Sequence, residues 1–135
     1  MPPAVAIATC AEHAGLDDEG RLLLAALREL GIAAEPAVWT QEPAGGWRAY
    51  DLVVLRSTWD YTFMLERFLD WTRQLGARLL NPPGVVAWNA DKRYLFDLAE
   101  AGIETVHTEH VAPGGLSSRA PSCRVQSRKR SSMNV

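Results

Sequence analysis

Lysine is nearly missing from this chain. Lys92 is alone in the first 111 residues, and Lys129 is the only other; every remaining basic residue is an arginine. Cysteine is scarce too. Cys10 and Cys123 stand far apart, which gives neither a disulfide framework nor metal-ligand spacing. A reducing cytoplasm is the simplest compartment to expect. No apolar run approaches the length of a membrane span, and "MPPAVAIATC" lacks the basic flank and apolar length of a signal peptide. There is no G-x-G-x-x-G, no G-x-x-x-x-G-K-[ST] and no G-x-S-x-G. His13, His107 and His110 have no metal spacing and read as solvated. These absences exclude a self-sufficient phosphate loop or nucleophile turn of the familiar kinds.

What is present divides in two. The 135 residues carry a net charge of -2 and an apolar fraction of 47%, which fits one soluble globular domain. Residues 1–111 hold all sixteen acids and nine of the fourteen basic residues, so the body is acidic. Residues 112–135 hold five basic residues, no acid, and much Ser, Pro and Gly. That composition cannot bury enough apolar surface to offset the entropy of ordering, so a disordered tail is expected there. Five positive charges could touch nucleic acid or an acidic membrane. Two blander readings outweigh that one: a solvated tail, or an out-of-frame translation of a GC-rich gene. Neither a membrane nor a nucleic-acid partner is therefore expected.

The body reads as alternating strands and helices. "AVAIATC" (4–10) is a continuous apolar run with β-branching, a strand buried on both faces. A helical stripe of leucines follows at 23, 27 and 30, with Asp17 or Asp18 as cap and Gly31 as stop. "EPAVWT" (35–40) and "YDLVVLRS" (50–57) read as strands. "FMLERFLDWTRQLGA" predicts a helix with Leu65, Phe68, Leu69, Thr72 and Leu75 on one face and Gly76 as terminator. "RLLN" (78–81) predicts a short fourth strand, and "PPGVVAW" a helical turn or a loop. A third helix is expected over 91–101, capped by Asn89 and stopped by Gly102, with Lys92 in its first turn. "ETVHTEHV" (104–111) reads as one more strand. The sum is an α/β domain: a Rossmann-like, mostly parallel sheet with helices on both faces.

In open α/β sheets ligands bind beyond the carboxyl ends of the strands. Thr9 lies at the first such end. Arg56, Ser57, Thr58, Trp59, Asp60 and Tyr61 lie at the third, which concentrates a guanidinium, two hydroxyls, an indole, a carboxylate and a phenol. Hydroxyls and a guanidinium suit a carboxylate or phosphate; the aromatics could wall a pocket. A local reading competes, with Asp60 or Thr62 capping the next helix, Trp59 packing beneath it and Arg56 paired with an acid. The prolines of "NPP" could hold a cis bond or simply end a strand.

"YDLVVLRSTWDY" followed by "LLNPPGVVAWNADKRYLFDLAEAGIETVHT" resembles a family of bacterial ATP-grasp proteins related to the glutathione-synthetase and cycloserine-forming ligases. The resemblance covers about residues 4–111. It implies a pre-ATP-grasp domain over 1–103, the start of an incomplete ATP-grasp domain over 104–111, and a tail over 112–135 foreign to the pattern, as in a truncated or frameshifted member. It implies ATP and magnesium as cofactors of the full-length family, neither expected to bind tightly to this chain. Thr9 and residues 56–61 would then face the acceptor substrate, a small carboxylate or amino acid, and Lys92 the nucleotide phosphates. The catalytic core is not in this chain, so no catalytic residue and no metal ligand is assigned, and the chain is expected to be inactive alone. The other reading is a standalone small-anion-binding or interaction module with a basic tail.

Overall fold

The computed structural model describes residues 2–109, so the expected tail and residues 110–111 lie outside the described residues. The order is β1 (Ala4–Thr9), α1 (Asp18–Glu29), β2 (Ala33–Val38), β3 (Leu52–Ser57), α2 (Leu65–Leu75), α3 (Pro83–Ala90) and α4 (Tyr94–Glu100), with short 3-10 turns between them. One compact unit runs to Tyr94, and a second begins at Leu95.

The first unit is a three-stranded parallel sheet in the order β2-β1-β3, flanked by helices. β1 is central because its residues can be buried on both faces: Val5 through Cys10 are all buried. Its even-numbered face, Ala6 and Ala8, joins Ala37 and Val53 against Phe68, Trp71 and Leu75 of α2. Small residues on the strand let these large aromatics approach the backbone closely. Trp39, Trp47, Tyr50 and Leu79 complete that core, with Trp47 and Trp71 meeting edge to face at 4.9 Å. β2 is the outer strand on one side, which tolerates Pro36, a residue with no N–H to donate to a ladder.

α1 begins where Asp17 accepts the Gly20 N–H at 2.7 Å, and it ends at Gly31, whose φ of 76° is the left-handed conformation glycine takes freely. Leu23, Leu24 and Leu27 are half-buried, but Leu30 is exposed, so the expected stripe is one turn shorter. α2 ends at Gly76 as read. Its buried face is Phe68, Trp71, Thr72 and Leu75, rotated from the expected one: Trp71 is in and Leu65 is out.

Four expectations are corrected. The second strand spans 33–38 rather than 35–40. The fourth strand shrinks to a single parallel bridge, Val53 to Leu79, because a 3-10 turn over Gly76–Arg78 precedes it and Pro82 and Pro83 follow at once. Both proline bonds are trans. The last helix begins at Tyr94, not at 91. Asp91 forms an Asx-type turn instead, its carboxylate accepting the Arg93 N–H at 3.0 Å. Asn89 lies inside α3 and caps nothing. Finally, 104–109 forms no strand. Its side chains close on their own segment, Thr108 Oγ1 donating to Val106 O at 3.0 Å, and no neighbouring strand supplies a ladder among the described residues.

Candidate functional site

The spatial order puts β1 between β2 and β3, so the connection from β1 runs to one side and the next, from β2, crosses back to β3 on the other. The crevice beyond the carboxyl ends of β1 and β3 is therefore the topological switch point, where α/β sheets bind ligands. Thr9 pairs with Ser57 across it, and the Cys10 N–H donates to Ser57 O at 2.9 Å.

Thr9 is fully buried. Its hydroxyl donates to His13 O at 2.8 Å and so fixes the loop after β1. That loop brings His13 edge-on to Trp59, ring centres 4.6 Å apart. It also ends in Asp17, the cap of α1. Gly20 fits here because a Cβ would lie 2.7 Å from Asp17 Oδ1. The Gly20 N–H chiefly holds the Asp17 carboxyl below its ordinary range. Desolvation opposes this, and the Arg56 charge, the Ser57 hydroxyl and His13 add to the lowering. Arg56 itself is paired with Glu19 of α1's first turn. Ser57 is fully buried, and its hydroxyl helps to hold the Asp17 carboxyl ionised.

The six residues 56–61 do not converge on one point, because the 3-10 turn over Trp59–Phe63 disperses them. Arg56, Ser57 and Trp59 serve the β1–β3 crevice. Thr58 is buried, and its carbonyl accepts the Tyr61 N–H at 3.0 Å. Asp60 turns toward β2 and accepts Trp39 Nε1 at 2.6 Å. Of the local reading, the Arg56–acid pair is present; the caps are not, since Met64 precedes α2 with no side-chain cap. Trp59 is exposed rather than packed under α2.

Tyr61 lines a separate cleft of about 170 Å³ with Leu55, Asn81, Val86, Asn89 and Lys92. Lys92 is not in a helix first turn. It follows the C-terminus of α3, and its Nζ donates to Asn89 O at 3.1 Å and lies 5.6 Å from the Tyr94 ring centre. A cation at a helix C-terminus is favourable, so the residue has a local role as well. The cleft is small for a nucleotide, since ligand pockets usually exceed about 300 Å³. One ammonium and two amides fit contact with a single anionic group, not with the whole cofactor. Among the described residues, no three His, Cys, Asp or Glu side chains are grouped to hold a metal ion. No helix among them is long and apolar enough to cross a membrane. A wider groove of about 640 Å³ lies under Trp39, Arg67 and Trp71, away from both sites. Its indole walls are themselves buried, so it offers a ligand little surface.

In the sequence Asp17 was readable only as a helix cap and His13 only as solvated, and Glu19 did not stand out. The signal that could have found them was position: "EHAGLDDE" is the first loop after the central strand.

Comparison with known proteins bears on this geometry. Residues 5–81 match the model of the D-cycloserine synthetase DcsG N-terminal domain. The cycloserine biosynthesis protein DcsG of Streptomyces lavendulae is 36% identical over 112 residues, covering 82% of this chain and 37% of that protein. A crystal structure of D-cycloserine synthetase DcsG superposes with a TM-score of 0.67 at 35% identity, over 73% of this chain and 34% of that one. The chain thus spans little more than a third of the relatives it matches.

Proposed function

The chain belongs to the family of DcsG N-terminal domains, and from that premise we propose that it is the substrate-side domain of an ATP-dependent carboxylate–amine ligase of the ATP-grasp type. The observation that carries the reading is the meeting of Arg56, Ser57, Asp17 and His13 at the β1–β3 switch point. A guanidinium there suits a substrate carboxylate. The ionised Asp17, at the end of the loop after β1, suits an ammonium. Together they match a small amino acid better than a bare anion. Trp59, exposed at the rim, would cover the bound molecule, while Thr9 and Thr58 hold the loops in place.

ATP, with magnesium, would supply the activation of the substrate carboxylate. This chain's part is to bind and orient: Arg56 and Asp17 fix the two ends of the substrate. Tyr61 and Lys92 offer a phenol and an ammonium on the adjoining cleft, where Lys92 would meet one phosphate group. By itself this chain is expected not to complete the reaction. Incubated with ATP, magnesium and a mixture of amino acids, it should release phosphate at the blank rate. Sustained turnover would overturn the proposal and favour an enzyme complete in itself.

A further inference from the structure

Resting on the substrate-side reading, the geometry points to Glu19 as an internal stand-in for a ligand carboxylate, holding the Arg56 guanidinium at the mouth of the β1–β3 crevice until a small-molecule carboxylate displaces it. Glu19 reaches Arg56 from α1, 37 residues away in sequence, and its own side chain is 77% exposed. The start of α1 does not need it. Asp17 caps the helix, and Asp18 supplies a first-turn acid that pairs with Arg21. An ion pair this open to water contributes little, so exchanging one carboxylate for another at Arg56 is close to neutral.

The residue beside Arg56 points the same way. Ser57 is fully buried, and its hydroxyl together with the Arg56 charge helps to keep the Asp17 carboxyl ionised. Asp17 also sets the sign of the selection: it repels a bare anion and accepts an ammonium, so the carboxylate that replaces Glu19 belongs to a zwitterion.

The test is a titration of the isotope-labelled full chain with glycine and with acetate, following the Arg56 Nε–Hε resonance. Glycine should move that resonance, acetate should bind more weakly, and Glu19→Gln should tighten glycine binding about two- to fivefold, the range an exposed ion pair commands. Thermal melts of both proteins check that the exposed substitution leaves the fold intact. If glycine moves the resonance equally in both proteins with the same affinity, Glu19 is no stand-in, yet the substrate-side reading survives. If neither ligand moves it even in Glu19→Gln, both the stand-in and the substrate role of the crevice are wrong.

Discussion

Tyr50 donates its phenol proton to Glu35 Oε1 at 2.6 Å. Burial, reinforced by that hydrogen bond and the carboxylate's charge, pushes its pKa from 10.0 up to about 12. The folded state therefore favours the neutral phenol. Its contribution to stability is fully present below pH 10 and is lost as pH rises through about 12. Tyr50→Phe removes the titrating group, so urea unfolding should show a smaller fall in stability between pH 10 and 12 in the variant than in the parent. Identical slopes would mean the pair contributes nothing. At this scale the sequence was legible in kind but not in direction. The run at 56–61 was readable as chemically rich, but where each side chain points depends on the 3-10 turn that follows, which no periodicity announces. Lys92 was readable as unusual. Its actual setting, at the end of one helix rather than the start of the next, hinged on the Asx turn at Asp91.

Among elements, α2 and α4 make opposite predictions. Trp71 packs against Trp39, Trp47 and Phe68 at the centre of the α2 face. Trp71→Ala should cost about 3–5 kcal/mol, a large part of the total for a domain this size, and denaturant unfolding would measure it. A loss below about 1 kcal/mol, within the range of ordinary surface changes, would mean the aromatic cluster is not the core. α4 has seven residues and buries none of them. Native-state hydrogen exchange should therefore be weakly protected over 94–109 and strongly protected over 52–57, since protection follows local burial. Equal protection would contradict this. The strands that could be read were those whose residues alone require burial, β1 and β3. The helix stops at Gly31, Gly76 and Gly102 were equally plain, all three adopting positive φ. The fourth strand could not be read correctly, because two leucines between Arg78 and Asn81 do not reveal that a turn and two prolines leave room for one bridge. Nor could 104–109, where strand-like composition finds no partner among the described residues.

For the whole molecule, the α/β class and the family followed from the alternation of elements and from two motifs. The location of the site did not follow as directly. It needed the spatial order β2-β1-β3, which is a property of distant pairings and which turns an ordinary polar loop, 11–17, into one wall of the crevice. The proposed role stands or falls on whether this crevice binds substrate for a ligase. The most direct test is a chimera in which residues 1–94 replace the equivalent segment of the Streptomyces lavendulae relative, assayed for D-cycloserine formation with and without Arg56→Gln. The chimera should be active. Arg56→Gln should raise KM for the amino-acid substrate about tenfold or more, the size of a lost charge-assisted hydrogen bond, and leave KM for ATP unchanged. An unchanged substrate KM in a folded, active Arg56→Gln chimera would contradict it.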